Sequence, residues 1–142
     1  MSLVMAFGCF DILHPGHIAY LEEAKKLGDS LIVVIARDHA IRTGKNREPV
    51  FEEQSRRHLV GSLKFVDKAV LGDKKDYYKL ILKLKPDIIA LGYDQRPGVR
   101  ELGEKLGKLG IKAKIIRIKK SHQRHHFKSS LLIQKLREQM GE

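Results

Sequence analysis

The sequence predicts an α/β fold: a parallel five-stranded sheet covered by helices on both faces. Three observations carry this. Short apolar runs alternate with amphipathic stretches along all 142 residues. The runs are continuously apolar, as strands buried on both faces must be. Glycine or proline stands between many of the segments, where the chain has to turn. Strands that alternate with helices call for parallel pairing through right-handed crossovers. The length suits one domain, residues 1–142, with one real core.

The elements follow in order. Residues 3–7 (LVMAF) read as a buried strand. Residues 15–27 read as a helix, because Ile18, Leu21, Ala24 and Leu27 recur every three residues and Pro15 suits a first turn. Gly28 is the expected stop. Residues 30–36 (SLIVVIA) form a second buried strand. Residues 38–49 are basic and polar, with Gly44 and Pro49 as breakers, and read as a loop. Residues 52–63 read as a helix and 68–71 as a short strand. A helix over 77–84 is capped by Asp76 and ends before Pro86. Residues 88–91 are a strand, 98–109 a helix with Gly110 behind it, and 114–118 the fifth strand. Residues 121–128 are an irregular polar loop. The last helix, 130–140, has Ser129 or Ser130 as its cap. There is no internal repeat, low-complexity segment or linker.

The formal net charge of +11 attracts polyanions: nucleotides, phosphorylated substrates, RNA or anionic lipid. Lysines on solvated helix faces would give the same surplus, so charge alone names no partner. No apolar run approaches the roughly 20 residues of a membrane span. Residues 3–7 are too short, and lack the basic flank, for a signal peptide. A cytoplasmic chain with no membrane partner is expected. Cys9 is the only cysteine and makes no internal disulfide, which fits a reducing compartment. It reads as a small strand-end residue more readily than as a reactive thiol. Aromatic residues make up 6% of the chain, too few for a base-stacking surface, and no RNA-binding signature is present. An RNA-binding module is the rival of another class; no nucleic-acid partner is expected.

Ligands in open α/β sheets bind at the carboxyl ends of the strands. Residues 8–17, 37–47, 71–76 and 92–97 lie there. The first is the most informative: Gly8-Cys9-Phe10-Asp11-Ile12-Leu13-His14-Pro15-Gly16-His17. A strand ends at Gly8 and a helix begins near Pro15. Gly16 lets a phosphate approach the backbone. The helix N-terminus supplies free N–H groups and the positive end of a dipole. His14 and His17, three residues apart, flank that end and can donate to phosphate oxygens. Nucleotidyl transfer needs mostly positioning and charge stabilisation. A strand–helix turn with two incidental histidines is the plain alternative, but its place directly after the first strand favours chemistry.

GCFDILHPGH, SLIVVIARD, the basic segment KNREPVFEEQSRR and PDIIALGYDQ together resemble the cytidylyltransferase-like nucleotidyltransferases. Within that family the archaeal FAD synthases, which adenylate FMN, are the nearest likeness, and the glycerol-3-phosphate cytidylyltransferases are close relatives. The likeness spans residues 7–95 and, weakly, 129–130. It implies a Rossmann-like, doubly wound sheet and a direct in-line attack of an acceptor phosphate on the α-phosphorus. Pyrophosphate leaves, and a divalent metal, Mg by preference, rides on the triphosphate. The substrates implied are ATP and FMN, or alternatively CTP and glycerol 3-phosphate. By the match, His14 and His17 stabilise the transition state, while Cys9, Phe10, Pro15 and Gly16 contact the nucleotide. Asp11 beside them either helps to place the metal or caps the turn. Family members commonly pair as homodimers, so a homodimer is expected.

Four further constellations follow. Arg37, Lys45 and Arg47 can neutralise β- and γ-phosphates. The family carries a lysine here, so Lys45 joins the histidines as a catalytic candidate; a solvated loop charge reads equally well. In Gln54-Ser55-Arg56-Arg57 the match assigns Arg56 to the acceptor phosphate or a subunit contact, and an exposed helix face with charges at pairing distance reads equally well. Gly92-Tyr93-Asp94-Gln95 is a strand-end turn where a base or ribose can sit. Asp94 matches the family's nucleotide-contacting aspartate, and it also suits a plain Asx turn. In residues 121–130, His122, His125 and His126 have no carboxylate or cysteine beside them and make a poor metal site. Ser129 and Ser130, at a helix cap, can hold a phosphate. This stretch departs from the arginine-threonine and Ile-Ser-Thr-Thr elements of the cytidylyltransferases. That weakens the cytidine reading and leaves the role of Arg124 open.

Overall fold

The computed structural model describes residues 2–93, 95, 98–119 and 129–141. Five strands form one parallel sheet in the order β3-β2-β1-β4-β5. They are β1 (Leu3–Gly8), β2 (Ser30–Ile35), β3 (Lys68–Leu71), β4 (Ile88–Leu91) and β5 (Lys114–Arg117). The central strand β1 pairs with β2 from Leu3↔Ser30 to Gly8↔Ile35, and with β4 from Val4↔Ile88 to Ala6↔Ala90. The helices are α1 (Pro15–Lys25), α2 (Asp38–Lys45), α3 (Glu53–Gly61), α4 (Lys79–Leu84), α5 (Val99–Lys108) and α6 (Ser129–Gln139).

Alternation along β1 divides the core. Val4 and Ala6 face one side, with Tyr20, Leu21 and Ala24 of α1 and Val60 of α3. Met5 and Phe7 face the other, with Ile81 of α4 and Leu102 and Leu106 of α5. Both faces of the sheet are therefore covered, and the predicted doubly wound Rossmann-like architecture holds. Each fully buried leucine or isoleucine contributes about 1.5–3 kcal/mol relative to exposure. Among the described residues no helix is long and apolar enough to cross a membrane.

One expectation fails. Residues 38–49 are not wholly a loop, because α2 occupies Asp38–Lys45. Asp38 stands in its first turn, complementing the helix dipole, and Asn46 ends it in the left-handed conformation at φ 52°. Only Ile41 of this helix is buried, so the sequence carries almost no apolar period there. The other helices start or stop within a few residues of expectation. Glu52 caps α3 by accepting from the Gln54 and Ser55 amides, and the Asp76 carboxylate accepts from the Tyr78 amide at 2.9 Å ahead of α4.

Gly8 ends β1, Ala36, Gly72 and Gly92 directly follow β2, β3 and β4, and all four line one cleft of about 1420 Å³. The cleft sits at the carboxyl edge of the sheet, where the topology requires it.

Candidate active site

The cleft begins at the turn after β1. Phe10 adopts a left-handed conformation, φ 51°, which is costly for a side chain of this size. The turn folds its ring back into the core, where it is 2% exposed and meets the His17 ring edge-on at 5.0 Å. Gly8 makes room for this: a Cβ there would lie 2.6 Å from the Phe10 ring.

His14 is the N-cap of α1. Its Nδ1 accepts from the Gly16 amide at 3.1 Å, and Nδ1 of His17 accepts from the His14 amide at 3.3 Å. Each imidazole thus fills the reciprocal role that Ser and Glu play in a conventional capping box. The rings stack with centroids 3.6 Å apart. With Nδ1 accepting, the proton of each neutral ring belongs on Nε2. Burial pushes the pKa of His14 down. It pushes that of His17 down to about 3, helped by the neighbouring His14 and by the charge of Lys45, against the Ile12 carbonyl. At neutral pH the pair is a set of uncharged N–H donors.

Asp11 is fully buried and committed to the fold. Its carboxylate accepts from the Val50 and Phe51 amides, at 2.9 Å each for the shorter contacts, and pairs with Arg47 at 2.6 Å. Desolvation would raise its pKa, but the Phe51 amide, Arg47 and the Val50 amide together hold it below the usual carboxylate range. Of the two expected roles, the structure selects fixing the turn.

The basic residues divide. Lys45, the last residue of α2, is exposed, lines the cleft and makes no ion pair among the described residues. Arg37 pairs with Glu53 at 2.8 Å and donates to the Gly72 carbonyl at 2.7 Å. Arg47 lines the cleft with its Nη1 on Asp11, while its buried Nε and Nη2 have no partner among the described residues. Arg56 departs from expectation. Its side chain is completely buried and does not line the cleft. Nη1 donates to the carbonyls of Cys9 (2.8 Å) and Ala36 (2.7 Å), Nε donates to the Phe51 carbonyl (2.9 Å), and Nη2 pairs with Asp38 (2.7 Å). A guanidinium has five donors in a rigid fork, and these four bonds clamp the chain beyond β1 to the chain beyond β2.

At the other end of the cleft the β4 turn is fastened twice. The Gln95 amide donates to the Phe7 carbonyl and accepts from the Gly92 amide. Arg117 donates to the carbonyls of Gly92 and Gln95. Below them the buried Tyr20 hydroxyl donates to the Ala90 carbonyl at 2.6 Å. The sequence flagged this turn but not Gln95 or Tyr20 as its supports. Asp94 lies outside the described residues, as do His122, Arg124, His125 and His126. Ser129 and Ser130 open α6, as expected of them, but their side chains lie outside the described set. Cys9, Phe10, Gly16, His14 and His17 line the cleft, and Pro15 opens α1 beside it.

Among the described residues no group of three or more histidines, cysteines or carboxylates could hold a metal. Three carboxylates also line the cleft, but Glu53 is paired with Arg37, Asp38 with Arg56, and Asp73 accepts from two backbone amides, so the remaining donors are imidazoles and cations, a poor set for a hard divalent ion. The site is built to take negative charge.

The chain resembles known proteins over most of its length. The profile of the cytidylyltransferase-like family matches residues 5–135. A FAD synthase of Thermoplasma volcanium is 50% identical over 142 residues, covering 100% of this chain and 99% of that protein. A FAD synthase of Archaeoglobus profundus is 48% identical over 136 residues, 96% of this chain and 86% of that one. Among solved structures, the lipopolysaccharide core biosynthesis protein from Thermoplasma volcanium superimposes with a TM-score of 0.82 at 54% identity, covering 85% of this chain and 98% of that one. A pantoate-beta-alanine ligase from Francisella tularensis, at 16% identity and a TM-score of 0.62 over 93% of this chain and 67% of its own, shares the fold. The chain belongs to the cytidylyltransferase-like family.

Proposed function

We propose that this nucleotidyltransferase transfers AMP from ATP to FMN, giving FAD and pyrophosphate. The observation that carries the substrates is the likeness to FAD synthases over nearly the whole chain, at 48–50% identity for the two relatives above. The site supplies the chemistry. A phosphate oxygen of FMN attacks the α-phosphorus in line; the bond to the bridging oxygen breaks, and pyrophosphate leaves with the electron pair. Negative charge builds on the equatorial and bridging oxygens. His14, His17 and the Gly16 region at the head of α1 offer donors where that charge develops. Lys45 neutralises the leaving phosphates from the end of α2. The divalent metal enters bound to ATP, as part of the substrate.

The same reading covers the finer expectations. The nucleotide is held by Cys9, Phe10, Pro15, Gly16 and Asp94, and by Ser129 and Ser130 at the head of α6. The chain works in the cytoplasm as a homodimer, which light scattering of the purified protein tests. The deciding experiment for substrate is a panel of ATP and CTP against FMN and glycerol 3-phosphate, scored for pyrophosphate. FAD from ATP and FMN is the expected outcome. Consumption of CTP with glycerol 3-phosphate, and none of FMN, replaces this reading with the cytidylyl one.

A further inference from the structure

A two-substrate reaction needs two separate places on either side of the reacting phosphorus, and this cleft has two ends. The histidine cradle follows β1, the middle strand. To one side lies the β4 turn with Gly92, Tyr93 and Gln95; to the other lies the turn after β3, from Gly72 to Tyr77. The volume of about 1420 Å³ exceeds the roughly 300–1,000 Å³ of a pocket for one small ligand. With the nucleotide base at the β4 turn, the acceptor's ring system belongs at the β3 end.

An aromatic stack joins the turn after β3 to the central strand. The Tyr77 ring lies on the Phe7 ring with centroids 5.2 Å apart and planes 27° from parallel. Tyr78 meets Tyr77 edge-on at 5.1 Å. Phe7 is 7% exposed and belongs to the core on the α4–α5 face. Tyr77 is 40% exposed and lines the cleft. The turn that carries it is fixed by Asp73, whose carboxylate accepts from the Lys75 and Asp76 amides at 3.0 and 2.9 Å. A flat ring backed by a buried ring, on a turn closed by its own hydrogen bonds, is a stacking surface organised before any ligand arrives. Neither the fold nor the histidine chemistry requires an exposed tyrosine at this place.

We infer that Tyr77, backed by Phe7, is the platform on which the isoalloxazine ring of FMN stacks, and that it selects a flavin over a small phosphorylated alcohol. The inference rests on the FMN-adenylating reading. Glycerol 3-phosphate has no ring and gains nothing from such a surface. A tricyclic flavin gains both apolar burial and offset stacking.

FMN fluorescence reports the contact directly, since stacking on a tyrosine quenches it. The wild-type protein, with a non-hydrolysable ATP analogue present, is titrated with FMN, and steady-state constants are measured alongside. Tyr77→Ala should weaken FMN binding about tenfold or more and lose the quenching. Its KM for ATP should stay at the wild-type value, while its melting temperature should fall by a few degrees because Phe7 loses its cover; Tyr77→Phe should keep both. Tyr77→Phe should restore affinity but not the quenching, because a benzene ring stacks as well as a phenol yet donates an electron to the excited flavin poorly. Wild-type FMN affinity in Tyr77→Ala overturns the platform, and if the wild type makes FAD the reaction assignment survives that loss. Quenched FMN binding that depends on Tyr77, in a protein that forms no FAD, upholds the platform and removes the reaction assignment instead. Absence of any FMN binding by the wild type removes both.

Discussion

Residues 8–17 and residues 37–57 both border the cleft, and both are crowded with ionisable side chains. They use them differently. In the first segment the two histidines are neutral, stacked and turned to the cleft, while Asp11 is spent on holding the neighbouring chain. In the second segment nearly every charge holds the chain: Arg37 with Glu53, Arg47 with Asp11, Arg56 with Asp38 and three carbonyls. Lys45 alone of the candidate phosphate-binding cations ends in the cleft without an ion pair among the described residues. A basic segment beside a phosphate site is therefore not all phosphate site. Most of its charge fixes the loops that keep the histidines in position.

The largest effect expected falls on the histidines. Replacing His14 by Asn keeps an acceptor near the Nδ1 position for the Gly16 amide and removes the Nε2 donor. Turnover should fall about 10²–10³-fold, or roughly 2.7–4 kcal/mol in barrier, with the melting temperature nearly unchanged. His14→Ala also loses the cap, so its folded state should be weaker by about 1 kcal/mol more. Activity and melting on the same preparations separate the two contributions.

Arg56 should show the reverse profile. Arg56→Met strips one partner from a buried pair and leaves three carbonyls unsatisfied. About 3–5 kcal/mol of stability should be lost, which for a chain of this size is a fall of about 10 °C or more in Tm. Thermal unfolding measures it. A variant with the wild-type Tm and poor acceptor binding would instead put Arg56 on the substrate.

Lys45→Ala should raise the KM for ATP about tenfold and leave Tm unchanged, because the side chain is exposed and makes no ion pair among the described residues. Lys83→Ala and Lys108→Ala serve as comparisons. Equal, negligible changes at all three positions would return Lys45 to the solvent.

The smallest effect is on pH dependence. Unfolded, His17 takes up a proton as pH falls through 6.5; folded, it resists down to about 3. Its contribution to stability is complete above 6.5 and is lost as pH falls from 6.5 toward 3. Denaturant unfolding between pH 7 and 5 should show a downward slope that flattens in His17→Asn. In the free enzyme's kcat/KM, His17 should give no inflection at 6.5, and any inflection from His14 should lie below 6.5.

The turn after β1 was legible because its signals are local. A strand ends at glycine, proline opens a helix, and two histidines sit at helical spacing. The five parallel strands were legible from the alternation of apolar runs and helices, whereas their order, β3-β2-β1-β4-β5, came only from the structure. The role of Arg56 was not legible. Beside Glu52, Glu53 and Arg57 it looks like one member of a solvated face, and its carbonyl partners Cys9 and Ala36 lie 47 and 20 residues away. The helix over 38–45 was missed for a related reason: one buried isoleucine gives no period, and the segment is anchored by Arg56 and Glu53 from another element. Tyr77 lies one residue past the strand-end segment 71–76 and reads only as the start of a helix. Its stacking on Phe7 joins residues seventy positions apart in sequence.

The central claim is that His14 and His17 act together on one transition state. A double-mutant cycle tests it most directly, using His14→Asn, His17→Asn and the double variant, with turnover of ATP and FMN measured under saturating substrates. If the two rings serve the same developing charge, the double variant should lose little more than the worse single variant. Losses that multiply across the cycle, or a single variant with undiminished turnover, would contradict the shared role and leave the motif as a helix cap.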